Sequence, residues 1–227
     1  MASPETVAAL VMAAVVVAMQ AEEAMVEEAN YTELWQWGKD YINTHCIERR
    51  DIAHAIPGKQ PGTKYTWMFY LRRALYNPEF LRAVVTMFTQ RVQQEIGHCN
   101  FQLSGMESAA VPLLIGISLQ TNIPAFSVRK NRKTYGLLNW IEGVPRVDRP
   151  VLLVDDLCNS STSLRHAHDR CLEHGLSILP YSFVLVNKVN KAVHEKTRQR
   201  RDMYLPAAIK VIYLWDLDDF NLSNPSH

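Results

Sequence analysis

The sequence predicts an α/β fold: a doubly wound, mainly parallel sheet with helices on both faces, joined to a smaller N-terminal subdomain. Three observations predict it. From Tyr31 onward the chain alternates between short apolar runs and longer amphipathic segments, two distinct hydrophobic periods. The runs VLLV (151–154) and FVLV (183–186) are unbroken rather than alternating, as expected for strands covered on both faces. The 227 residues, 48% hydrophobic and 21% charged, suffice for one substantial core.

The elements follow in order. Thr6 to Ala21 carries no charge and is rich in alanine and valine. These sixteen residues fall short of the roughly 20 that span a bilayer as a helix, and no Lys or Arg precedes Lys39. An apolar helix beginning at Ser3-Pro4-Glu5 is expected instead, packed on the body or on a second subunit. A second helix is predicted near Tyr31 to Cys46, then the Pro/Gly segment IPGKQPG (56–62), then a strand in TWMFYL (66–71). A long helix is expected from Pro78 to Ile96, a strand at FQLS (101–104), a small-residue helix from Ala109 to Leu119 and a strand at AFSV (125–128). The polar stretch Arg129 to Gly143 precedes VLLVDD (151–156), a helix through Cys171 ending at Gly175, and YSFVLV (181–186). In such sheets ligands lie beyond the carboxyl ends of the strands, so the loops after Ser104, Val128, Asp156 and Val186 are the places to seek chemistry.

Composition excludes several classes. Twenty-four basic and 23 acidic side chains leave a net charge of +1, so any anion must be bound locally. The basic run Lys188 to Arg201 has no interleaved aromatics and reads as a surface loop rather than a nucleic-acid site. Cysteines 46, 99, 158 and 171 form neither a disulfide framework nor a metal knuckle, which points to a reducing, cytoplasmic setting. The eight histidines show no zinc-ligand spacing.

The informative segment is VLLVDDLCNSSTSL (151–164). An apolar strand ends in Asp155 and Asp156, and the small polar loop Asn159, Ser160, Ser161, Thr162, Ser163 opens a helix. Hydroxyls and backbone N–H groups at a helix N-terminus favour a phosphate. Adjacent carboxylates repel a phosphate, yet they accept hydrogen bonds from sugar hydroxyls and hold a hydrated magnesium ion. A phosphorylated sugar satisfies both halves. Alone, the motif also fits other doubly wound proteins with an acidic pair at a strand end and a Ser/Thr helix cap.

This segment resembles the signature of the type I phosphoribosyltransferases, whose loop holds the 5-phosphate of phosphoribosyl pyrophosphate. The resemblance runs over about residues 31 to 222 and is specific to the orotate branch. SGMESAAVP (104–112) is similar to the branch's pyrophosphate-contacting loop, FSVRKNRKTYG (126–136) to its mobile catalytic loop and WIEG (140–143) to its closing strand. TKYTWMFYLRRALYNPEFL (63–81) is similar to the base-pocket segment, and VIYLWDLDDF (211–220) to the last strand. The implied domain is 31–222, with 1–30 as a helical extension and 223–227 as a tail. The resemblance implies transfer of ribose 5-phosphate to a pyrimidine-like base, orotate being the named acceptor, with magnesium and in a homodimer. Lys133 becomes the catalytic lysine, carried by the 129–143 loop into the neighbouring subunit's site, beside Asp155 and Asp156. Glu107, Ser108, Arg129, Lys130, Tyr135 and residues 159–163 become phosphoribosyl pyrophosphate contacts, and Met68, Phe69 and Lys188 base contacts.

Four positions depart from the pattern. Ser161 stands where the family has glycine, Tyr135 where it has histidine and Gln60 where it has a base-pocket lysine. Asn187-Lys188 replaces an Asp-Arg pair, and lysine cannot make arginine's planar two-point contact with a carboxylate. These changes predict a weaker hold on orotate's carboxylate more than they alter the sugar-phosphate site. The alternatives are a transferase for another nitrogenous acceptor and a phosphoribosyl pyrophosphate-binding regulator without turnover.

Overall fold

In a computed structural model, residues 4–58, 61–131, 139–188, 205–206 and 208–222 are described. The two N-terminal helices expected from the sequence are one: α1 (Pro4–His45) runs through residue 30 without a break. Nothing in its sequence interrupts helical backbone, because no glycine occurs before Gly38 and no proline after Pro4. Its C-terminal part docks on the body. Trp35 Nε1 donates to the Leu214 carbonyl at 2.7 Å, and a Cβ at Gly38 would lie 2.7 Å from the Trp215 indole. Any larger residue there would push the helix off that ring.

The small subdomain follows. β1 (Ile47–Arg49) waits for β4 (Trp67–Phe69), with which it pairs antiparallel. Between them, β2 (Ile56–Pro57) and β3 (Lys64–Tyr65) form a hairpin from the Pro/Gly segment. A single turn, α2 (Arg72–Leu75), leads to α3 (Pro78–Glu95). Asn77 caps α3 by accepting from the N–H groups of Glu79 and Phe80, each at 2.9 Å, and Pro78 fills the first helical position, where no donor is needed.

The main sheet is built from β5 (Gln102–Met106), β6 (Ala125–Val128), β7 (Ile141–Glu142), β8 (Val151–Cys158), β9 (Ile178–Asn187) and β10 (Lys210–Asp216). Its order is β10-β9-β8-β5-β6-β7, parallel throughout except for the short edge strand β7. Helix α4 (Val111–Thr121) joins β5 to β6, and α5 (Thr162–Glu173) joins β8 to β9. The alternation of β8 explains why its run is apolar at every position. Leu152 and Val154 face one core with α1, α3 and α4, while Val151 and Leu153 face a second with Leu164, Ala167 and Cys171 of α5. Helices therefore cover both faces. The strand order reverses between β5 and β8, so a crevice opens beyond their carboxyl ends.

No described helix is long and apolar enough to cross a membrane.

Candidate active site

Gly105 makes the crevice narrow. A Cβ there would sit 2.2 Å from the Val154 carbonyl oxygen, so only glycine lets β5 approach β8 this closely. At the end of β8 the buried run gives way to the acidic pair. Asp155 is only 4% exposed, and its Oδ1 accepts the Asp156 N–H at 3.0 Å. Burial, and then the charge of Asp156, holds the Asp155 carboxyl well above the ordinary carboxylate range. Burial also raises Asp156, against hydrogen bonds from its surroundings and the positive charge of Arg72. Two desolvated carboxyls near the carboxyl end of β8 favour an incoming cation or hydroxyl donor.

The loop beyond them turns sharply into α5. Ser161 adopts the left-handed conformation at φ 54°, and its Oγ lies 3.2 Å from Cys158 Sγ. Ser160 and Thr162 share a hydroxyl hydrogen bond of 2.8 Å, and Ser163 bonds to Asp155. Asn159 is exposed at the turn. The free N–H groups of the first turn of α5 and four hydroxyls thus gather beside the acids. Cys158 itself is buried in the second core, with its thiol raised by burial.

Glu107 and Ser108 follow β5. Glu107 accepts the Lys130 N–H at 3.3 Å and approaches Arg129 at 3.8 Å. Arg129 in turn donates from Nε to Glu142 at 2.6 Å, so its guanidinium bridges the loop after β5 and the edge strand β7. Arg72 Nη1, from α2, lies 3.5 Å from Ser108 Oγ. Lys133, Tyr135 and Gln60 lie outside the described residues.

The residues expected at a base pocket fall into different surroundings. Phe69 is buried in the first core, with its ring 5.1 Å from that of Phe220. Met68 is 44% exposed, on the other face of β4 from Trp67 and Phe69. Lys188 holds its ammonium 4.3 Å from the centre of the Trp67 ring, and burial lowers its pKa. Trp67 and Arg72 are the residues that sequence reasoning missed. Both stand inside a segment identified with the base pocket, but no spacing rule singles them out.

A separate cavity of about 190 Å³ lies between α5 and the β6–β7 edge, lined by Met106, Arg129, Lys130, Trp140 and His166, among others. Arg170 stacks over Trp140 at 3.9 Å on its wall. Neither Asp155 nor Asp156 lines it.

No family model matches the chain. In fold, it is similar to the crystal structure of Mycobacterium tuberculosis orotate phosphoribosyltransferase, with a TM-score of 0.62 and 18% identity over 84% of this chain and 98% of that one. The same mycobacterial enzyme in complex with phosphoribosyl pyrophosphate aligns at a TM-score of 0.54 and 16% identity, over 84% of this chain and 91% of that one. The fold, with an acidic pair at its switch point, is that of a type I phosphoribosyltransferase.

Sequence relatives narrow the class. The orotate phosphoribosyltransferase of Pyrococcus horikoshii is 29% identical over 147 residues, which is 65% of this chain and 75% of that protein. That of Methanosphaera stadtmanae is 31% identical over 128 residues, 56% of this chain and 69% of that protein. The chain belongs to the orotate phosphoribosyltransferase family, a family of glycosyl-transferring enzymes.

Proposed function

We propose that the protein transfers ribose 5-phosphate from phosphoribosyl pyrophosphate to N1 of a pyrimidine-like base, orotate first among them. The observation that carries this reading is the Asp155–Asp156 pair, the first buried and the second half-buried, set against the hydroxyl-rich N-terminus of α5. In the reaction the anomeric C–O bond breaks, pyrophosphate leaves with the electron pair, and the base nitrogen forms the new bond while its proton passes to solvent. Positive charge grows on the sugar ring, and the two carboxylates lie where they oppose it. Residues 159–163 hold the 5-phosphate. Arg129, Lys130 and Lys133 are the basic group for the leaving pyrophosphate, with Lys133 delivered by the neighbouring subunit of a homodimer. Trp67 and Lys188 offer an aromatic face and a cation to the acceptor.

Magnesium fits this donor set as an ion that arrives with the substrate. Among the described residues no cluster of three metal-binding side chains gathers, and Asp155 and Asp156 would be the carboxylates that hold the ion, directly or through water. The ion, when bound, neutralises charge on the diphosphate.

Pyrophosphate release tests the reading against orotate, uracil and other small bases, with phosphoribosyl pyrophosphate and magnesium saturating. Orotate should support release. A thermal shift with phosphoribosyl pyrophosphate but no release with any base would instead make the protein a regulator.

A further inference from the structure

Both arginines of α2 begin the same turn, yet they have different surroundings. Arg73 donates to Glu48 at 3.2 Å and to the His45 carbonyl at 3.4 Å, so its charge is compensated within the small subdomain. Arg72 is half-buried and has no carboxylate within 4.0 Å among the described residues. Its one hydrogen-bond partner there is the Ser108 hydroxyl at 3.5 Å, and its guanidinium lies 5.3 Å from the centre of the Tyr70 ring. The turn that carries it is firmly seated, because Leu71, Ala74 and Leu75 are all buried. A half-buried cation at the rim of a crevice, with no carboxylate in contact and with Asp156 feeling its charge only from beyond ion-pair distance, is a site prepared for an anion.

Lys130, whose backbone N–H meets Glu107, is exposed, and two further described cations near the crevice are engaged. Arg129 is bridged between Glu142 and Glu107, and Lys188 sits over Trp67. The loop after β5 itself contributes an acid, Glu107, so an anion settling there needs an added positive charge. The sheet order then separates the two ends of the substrate site. Ser108 follows β5 on one side of β8, whereas Lys188 follows β9 on the other, each one strand from the acidic pair. Arg72 therefore stands on the side opposite the lysine expected to meet the acceptor.

We propose that Arg72, set against Ser108 in the loop after β5, is a ligand of the diphosphate of phosphoribosyl pyrophosphate, contributed to the α/β core by the N-terminal segment. This rests on reading the crevice as a phosphoribosyl pyrophosphate site. Arg72 adds a cation from the small subdomain to the Arg129 and Lys130 that follow β6. It also couples the small subdomain to occupancy of the main site, because its own backbone belongs to α2 and its anion to the loop after β5.

Calorimetric titration of the full-length protein tests the assignment, with wild type, Arg72→Gln and Arg72→Lys each receiving phosphoribosyl pyrophosphate with magnesium, magnesium pyrophosphate, and ribose 5-phosphate. Arg72→Gln should weaken the first two by about 10- to 100-fold, Arg72→Lys by less, and neither should change ribose 5-phosphate affinity beyond about threefold. The KM for the acceptor at saturating phosphoribosyl pyrophosphate should stay within the same threefold. Thermal midpoints without ligand, matched to wild type, establish that both variants fold. Unaltered pyrophosphate affinity in Arg72→Gln overturns the proposal, and a raised acceptor KM with unaltered pyrophosphate affinity assigns the residue to the base instead. Wild-type protein that fails to bind phosphoribosyl pyrophosphate at all would sink the function reading and this inference together, an outcome distinct from either.

Discussion

Asp155 illustrates how one residue sets function against stability. Its carboxyl is buried and lies beside a second acid, so the native state holds a proton there more tightly than the unfolded chain does. With more protons bound in the folded state, stability falls as pH rises from the ordinary carboxylate value of 3.8 up through the raised folded value, and is level with respect to this group beyond it. Asp155→Asn removes the ionisation while its amide oxygen can still accept the Asp156 N–H. The variant should therefore melt at a higher temperature than wild type at neutral pH and show a flatter dependence, with each kcal/mol regained appearing as about 2 to 4 °C. It should also lose the thermal shift given by phosphoribosyl pyrophosphate with magnesium. Melting curves from pH 4 to 8 decide the point; a variant with the wild-type slope would mean that the acid is ionised in the fold without cost.

At the scale of elements, the junction of β8 with α5 carries its own strain. Serine at φ 54° sits in a backbone region that costs an L-residue roughly 1 to 2 kcal/mol, while glycine there loses about 0.5 to 1 kcal/mol of chain entropy. Ser161→Gly should on balance stabilise the fold by about 0.5 to 1 kcal/mol, read in chemical denaturation as a higher midpoint at unchanged slope. A lower midpoint would show that the Ser161 hydroxyl beside Cys158 contributes more than the strain removes. The long strands β8 and β9 were legible as unbroken apolar runs, and the helices α3, α4 and α5 as segments long enough to separate from them. Short elements were not. Strands of two or three residues, as in β1 to β4, and the single turn of α2 show no period, and their existence depends on what they pack against.

At the scale of the whole molecule, the folding unit is expected to lie downstream of the N-terminal stretch of α1. The first described residue of that helix to pack on the core is Tyr31, whereas Met12, Val16 and Val17 are exposed. Asn30 precedes it as a ready N-cap, with Glu33 three residues on. Removal of residues 1–28 should thus leave a chain that melts cooperatively within about 3 °C of the full-length protein, since about 2 to 4 °C corresponds to 1 kcal/mol at this size. It should also keep its thermal response to phosphoribosyl pyrophosphate. Differential scanning calorimetry of the two chains checks this, and loss of the cooperative transition would assign the extension to the fold itself.

The sequence by itself determined the doubly wound class, the strand that carries Asp155 and Asp156, though not its continuation to Cys158, and the hydroxyl loop that opens α5. Those signals are local: a period, a strand end and a helix start all lie within a few residues of one another. Only the tertiary structure decided that α1 is continuous, that Arg129 is shared between Glu142 and Glu107, that Lys188 rests on Trp67, and that Arg72 reaches Ser108 across 36 positions of chain. Contacts of that kind are made by the crossing of strands and helices in space. A residue's partners across such a crossing depend on sheet order and register, which no spacing along the chain records.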